Sequence, residues 1–202
     1  LKQAAMEDYK IAIFDDGLQD FSINYDLSIV CFNNINWIGN GLTIPSGPLR
    51  ESINDIKKYR NVFLNGNNED LDEIKKYIFK IDPTINVYQG KYVPKNLNEF
   101  NIKDKFLVFS GIGNHATFIS MLKINKFNII KEIEFPDHYE YSKKDINNII
   151  STAKKLDCKI ITTEKDCARL KIDNFSDIKH IKVDLEILNE EIFLKEISKL
   201  YE

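Results

Sequence analysis

Ile11-Ala12-Ile13-Phe14-Asp15-Asp16-Gly17-Leu18-Gln19 sets four apolar residues directly against two carboxylates and a glycine. A short apolar run that ends at a turn signal reads as a buried strand of a parallel sheet, and ligands in such sheets collect beyond the carboxyl ends of the strands. Side-chain alternation sends Asp15 and Asp16 to opposite sides, so one can face a metal or phosphate while the other orients a neighbour. Gly17 permits a sharp turn, and Gln19 carries both a donor and an acceptor. Asp-Asp-Gly is equally ordinary turn chemistry, which is the plainer reading of the same residues.

Downstream, residues 26–32 form a second short apolar run, and 33–48 a long polar loop with Trp37, Gly39, Gly41 and Gly47. A loop of that length in a compact domain is usually functional or mobile. It ends in Pro45-Ser46-Gly47-Pro48-Leu49-Arg50-Glu51, a rigid turn that delivers Arg50 and Glu51 to the start of a helix predicted to reach about Tyr59. Basic residues in this chain are mostly lysine, with arginine at 50, 60 and 169. Arg50 therefore suits a site that wants a planar, bidentate grip on phosphate or carboxylate. A surface ion pair with an acid at the helix start is the alternative.

The 202 residues suffice for one large or two modest domains. A net charge of -3 with 29% charged residues gives neither a basic nucleic-acid surface nor an acidic disordered tail, so nucleic acid is not an expected partner. Three cysteines without metal-type spacing read as reduced thiols filling the core or its margin. No apolar run approaches the roughly 18 residues that span a bilayer. Residues 1–9 look like the last turns of a helix, and an N-terminal part is expected upstream of Leu1.

Residues 61–65 read as a strand, 69–79 as an amphipathic helix and 85–94 as an extended, partly polar linker. A fresh alternation begins at Lys105: strand 106–109, helix 115–124, strand 127–134, helix 143–156, strands 159–162 and 178–183, and helix 190–200. That βαβ series predicts an α/β fold with a second α/β unit over 105–202, a first unit over 1–84 and a linker over 85–104.

Three further motifs sit at strand ends. Ser110-Gly111-Ile112-Gly113-Asn114-His115-Ala116 matches G-x-G-x-x-A, with Glu132 and Glu134 about where a ribose-binding acid sits in a dinucleotide fold, although such glycines serve any tight strand-to-helix turn. Phe135-Pro136-Asp137-His138-Tyr139 precedes Ser142 and Asp145, a capping-box spacing that anchors His138 in a short loop where it can exchange protons; a plain surface histidine is the alternative. Thr162-Thr163-Glu164-Lys165-Asp166 reads as a phosphate contact through Lys165 or as a salt-bridged loop. His115 and His180 join no ligand cluster, and no G-x-x-x-x-G-K-[ST] run occurs, Gly90-Lys91 being followed by Tyr92.

Taken in order, DDGLQ (15–19), PSGPLRE (45–51), SGIGN (110–114), FPDHY (135–139) and TTEKD (162–166) resemble the tetraacyldisaccharide 4'-kinase family of lipid A biosynthesis over nearly the whole chain. The resemblance implies a P-loop NTPase-like core sheet, here partial, plus a smaller α/β domain joined by an extended-strand linker. It implies an ATP-dependent, Mg2+-requiring transfer of the γ-phosphate to the 4'-hydroxyl of tetraacyldisaccharide 1-phosphate, on the cytoplasmic side of the bacterial inner membrane. Carried over onto this sequence, Asp16 holds Mg2+ while Asp15 and Gln19 order the same turn. Arg50 and Glu51 line the cleft near nucleotide or sugar phosphate, and His138 partners a carboxylate base. The family's phosphate-loop lysine, acidic base and hydrophobic membrane segment precede DDGLQ, so the chain is expected to be an inactive C-terminal two-thirds. Asp20 stands where the family usually has His, and His115 where it usually has Pro. A nicotinamide-dependent oxidoreductase built on GIGNHA and a non-catalytic α/β interaction module are the competing expectations.

Overall fold

β4 (Lys105–Ser110) shows how the sequence builds this α/β protein. Phe106 to Phe109 are all buried, with Phe106 and Val108 packed on one side beneath α3 (His115–Ile124), and Leu107 and Phe109 on the other beneath α4 (Lys143–Leu156). A strand covered on both faces needs a continuous apolar run, which is what these residues supply. The protein is seen in a computed structural model that describes residues 1–68, 70–170 and 177–201. Glu69, with which one helix was expected to begin, lies outside the described residues; that helix, α2, is described over Asp72–Ile81.

Among the described residues the strands form two four-stranded sheets. In the second, β5 (Asn128–Glu134), β4, β6 (Lys159–Thr163) and β7 (Ile178–Ile181) lie in that order, all parallel. In the first, β1 (Ile29–Asn33), β2 (Asn61–Asn65) and β3 (Asn86–Pro94) run parallel, and β8 (Val183–Leu188) closes the sheet antiparallel to β3. Val62 and Leu64 of β2 face a core with Leu49, Ile53, Leu71 and Ile78, while Phe63 and Tyr88 pack edge to face against Phe193 of α6 (Glu190–Ser198).

Four expectations are corrected. The apolar run at 11–14 is not a buried strand: Ile13 is 92% exposed and Phe14 42%, and no described strand takes up its backbone groups, without which a run cannot hold ladder geometry. The stretch 85–94 is a strand of the first sheet rather than a linker, because β8 supplies its second neighbour. The strand expected over 178–183 is divided at Lys182. There the Lys182 N–H turns to Asn96 Oδ1 at 2.9 Å, and its carbonyl accepts from the Lys95 N–H at 2.9 Å. The chain thereby leaves the second sheet and returns to the first, so 105–202 does not stay in one unit. Cys31, expected to fill the core or its margin, is exposed on β1. Among the described residues no helix is long and apolar enough to cross a membrane.

Candidate functional site

The turn after DDGLQ and the turn after PSGP meet through side chains far apart in sequence. Arg50 directs its fork at two acceptors, Nη2 to Asp16 Oδ2 at 2.8 Å and Nη1 to Gln19 Oε1 at 3.2 Å. Gln19 Nε2 in turn donates to Glu51 Oε1 at 3.4 Å, so four of the sequence-selected residues form one chain of contacts. Local structure prepares both ends. The Tyr25 hydroxyl donates to the Gly17 carbonyl at 2.7 Å, and a Cβ at Gly17 would stand 2.9 Å from both Phe14 Cβ and that hydroxyl, so only glycine lets the turn close. Asp16 has φ +59°, a left-handed conformation that aspartate tolerates better than most residues. Arg50 and Glu51 precede a 3-10 helix, Ile53–Lys58, capped by Ser52, a shorter element than the helix expected from Arg50 onward.

Asp15 does not join this chain of contacts; its charge is felt at Cys31. That side chain keeps solvent access, yet the protein atoms around its sulfur push the thiol up, and the Asp15 carboxylate adds to the effect. Asp20 is spent locally, holding the Ser22 hydroxyl and N–H, which keeps its carboxyl below the ordinary range.

His138 belongs to a second group, beyond the carboxyl ends of β4, β5 and β6. Its φ is +59°, and its N–H donates to the Gly111 carbonyl at 3.2 Å and to Asp137 Oδ1 at 2.9 Å. The capping box read from Ser142 and Asp145 is present, with mutual bonds of 2.9 and 3.2 Å, and fixes the chain just after this loop. Asp145 is held below the usual carboxylate range by the Ser142 hydroxyl and N–H. No described hydrogen bond or ion pair joins His138 to Asp16. The two halves touch nearby, where Asn33 Nδ2 at the end of β1 donates to Thr117 Oγ1 in the first turn of α3 at 2.7 Å.

The glycines of SGIGN serve this second group. The Gly111 N–H is given to the Asp166 carboxylate at 3.1 Å, and a Cβ there would meet the Tyr141 hydroxyl at 2.8 Å and Tyr139 Cβ at 3.1 Å. A Cβ at Gly113 would stand 3.0 Å from Asp137 Oδ2. A pyrophosphate would need those amides and would face that carboxylate. Although Glu134 pairs in register with Ser110 where a ribose acid would sit, the dinucleotide reading fails on its phosphate side. His115, far from a free ligand, is buried with Nδ1 2.6 Å from Ser110 Oγ.

TTEKD is not a loop: it closes β6 and opens a short helix. Thr163 caps the six-residue α5 (Glu164–Arg169) by accepting from the Asp166 N–H at 3.0 Å, and its hydroxyl donates to Asp166 Oδ2 at 2.7 Å. Asp166 is fully buried and Lys165 is exposed. The Thr-x-x-Asp spacing was a readable cap signal. A cavity of about 380 Å³ opens at the amino-terminal end of β4 and β6, lined by Phe100, Asp104, Cys158 and Lys159, on the side away from all these motifs.

The tetraacyldisaccharide-1-P 4'-kinase family model matches residues 2–202. A tetraacyldisaccharide 4'-kinase of Pelagibacter ubique is 56% identical over 202 residues, all of this chain and 64% of that protein. The kinase of Rickettsia typhi is 33% identical over 195 residues, covering 92% of this chain and 57% of its own length. The crystal structure of LpxK from Aquifex aeolicus in complex with ATP matches with a TM-score of 0.57 at 20% identity, over 93% of this chain and 56% of that one, a likeness of fold. The chain thus spans under two-thirds of the length of these relatives, and it belongs to the tetraacyldisaccharide-1-P 4'-kinase family.

Proposed function

We propose that this chain contributes to an ATP-dependent kinase that phosphorylates the 4'-hydroxyl of tetraacyldisaccharide 1-phosphate at the cytoplasmic face of the bacterial inner membrane. The observation that carries the reading is the contact chain Asp16–Arg50–Gln19–Glu51, which draws two of the motifs that resemble that family's into one polar surface. Phosphoryl transfer asks a protein mainly for positioning and charge neutralisation. Arg50 offers a planar fork to a nucleotide or sugar phosphate, with Glu51 beside it. Gln19, between Arg50 and Glu51, ties the turn that carries Asp16 to this fork, whereas Asp15, expected to order the same turn, makes no described hydrogen bond or ion pair there.

Among the described residues no three His, Cys, Asp or Glu side chains converge as a metal cage. One exposed carboxylate on a turn fits Mg2+ that arrives with nucleotide, because that ion takes one or two protein carboxylates and completes its shell with phosphates and water. Asp16 would hold it, and the chemistry it supplies when bound is neutralisation of phosphate charge. His138, in its strained loop position, partners the group that takes the proton of the acceptor hydroxyl.

The test is transfer of radiolabel from ATP to tetraacyldisaccharide 1-phosphate. The 202 residues contain no phosphate-cradling glycine-lysine loop, so alone they should transfer label at background, whereas the polypeptide extended upstream to the length of its relatives should transfer it readily. Asp16→Ala in the extended protein should lower transfer by about 100-fold or more. Undiminished transfer by that variant would overturn the assignment.

A further inference from the structure

Arg169 reaches the imidazole of His138 from a different motif. Its Nη2 lies 3.1 Å from His138 Nδ1, and its Nη1 donates to the Gly111 carbonyl at 2.9 Å and faces Asp166 Oδ1 at 3.4 Å. The guanidinium is mostly covered, with 22% of the side chain exposed, and Asp166 behind it is wholly buried. Asp166 itself is fixed on its other oxygen by the Gly111 N–H and the Thr163 hydroxyl. A rigid carboxylate therefore aims a rigid fork at one nitrogen of an otherwise exposed ring.

The chemistry of that contact has one solution. A guanidinium only donates and does not lose its proton in proteins, so Nδ1 must present a lone pair. A neutral histidine that accepts at Nδ1 carries its proton on Nε2. The Nε2 edge is the one turned away from Arg169, and Asp137 Oδ2 stands 3.8 Å from it. We infer that Arg169, anchored by Asp166, is a positioning residue that fixes His138 as its Nε2–H tautomer, so that His138 offers a hydrogen-bond donor on its free edge.

This gives TTEKD a purpose that capping alone does not. Asp166 joins the GIGN turn through Gly111, the FPDHY loop through Arg169, and α5 through Thr163. A donor edge suits an imidazole that must orient and polarise a neighbouring carboxylate, and it does not suit one that must itself accept a proton at Nε2. That consequence rests on the kinase reading of His138; the tautomer does not.

The experiment is long-range proton–nitrogen correlation NMR of the imidazoles in the nitrogen-15-labelled chain, above the ordinary histidine range near pH 6.5, with His138 assigned by loss of its signals in His138→Gln. The expected result is the Nε2–H pattern in the parent chain and an added Nδ1–H population in Arg169→Ala. Arg169→Gln should show the same added population, because a shorter amide that still donates to Gly111 no longer reaches the ring. Amide spectra of the variants report whether the fold is kept, and the His115 signals, bonded to Ser110, serve as an internal reference that should not move. An Nδ1–H pattern in the parent chain, or an unchanged pattern in both folded variants, would overturn the inference. Because no phosphate transfer is measured, failure of the kinase assignment would leave this result standing, and the reverse also holds.

Discussion

Arg50–Asp16 and Arg169–Asp166 are the same pair of residue types held in opposite ways. The first bridges two turns at 2.8 Å with 54% and 71% of the side chains exposed; the second has a looser 3.4 Å contact, yet its carboxylate is wholly buried and bonded on both oxygens. The difference separates a pair that water can replace from one that it cannot. An exposed fork can exchange its carboxylate for a phosphate at little cost, which suits a binding surface. A buried carboxylate with its donors in place is committed, which suits a scaffold that keeps a loop in register. Distance alone would have ranked the two pairs the wrong way round.

Asp166→Ala is the variant that should break the comparison most severely. It strands the Gly111 N–H in the interior and removes the counter-charge of a largely covered Arg169, a loss of about 3–5 kcal/mol for breaking a buried charged pair. Urea titration with a lowered midpoint and an unchanged slope would report it. A loss under about 1 kcal/mol would mean that water enters the site, and the contrast with Asp16 would disappear.

Tyr141 sharpens the same contrast through pH. Its hydroxyl is buried without a partner at bonding geometry, and burial first, then the nearby Asp166 charge, raises the phenol far above its ordinary value. The unfolded chain loses that proton near pH 10 while the folded chain keeps it. Above that pH the unfolded state therefore binds fewer protons, and the stability fully present at lower pH is lost as pH rises towards the folded value. Tyr141→Phe should flatten this alkaline loss while leaving neutral-pH stability unchanged or raised, since an unpaired buried hydroxyl is removed. Thermal unfolding across the alkaline range checks both halves.

How legible each region was follows from the range of its contacts. α4 was readable because its start signal, Ser142 with Asp145, is local; in the structure Asp157, left-handed at φ +52°, ends it. β4 was readable because Phe106 to Phe109 announce burial on both faces. β3 was not, since its stretch holds Gln89, Gly90, Lys91 and Pro94, and the antiparallel partner that makes it a strand comes from Val183–Leu188. Gly90 there makes room for Phe63, whose ring would stand 2.7 Å from a Cβ, and no spacing rule shows that. Conversely the run at 11–14 had the right composition and lacks a described neighbour. In the site, the structure joins Asp16, Gln19, Arg50 and Glu51 in one chain of contacts and leaves Asp15 and His138, expected in the same cleft, outside it. The hold of Arg169 on His138 joins residues 31 positions apart on different elements, and only the topology reveals it.

The smallest effect on stability is expected where the functional stake is highest. Arg50→Ala removes two hydrogen bonds, one of which is also an ion pair, yet both charged partners face water and regain hydration when separated, so unfolding free energy should change by no more than about 1 kcal/mol. What little is lost should shrink further in about 1 M salt, where the screening length falls to roughly 3 Å. Two urea titrations at low and high salt, parent against variant, measure this. A salt-independent loss as large as that of Asp166→Ala would show that Arg50 is structural, with its fork committed to Asp16 and unable to turn to a phosphate. A small, salt-sensitive change would leave the fork as what its exposure indicates, a cation resting on a carboxylate until a better anion arrives.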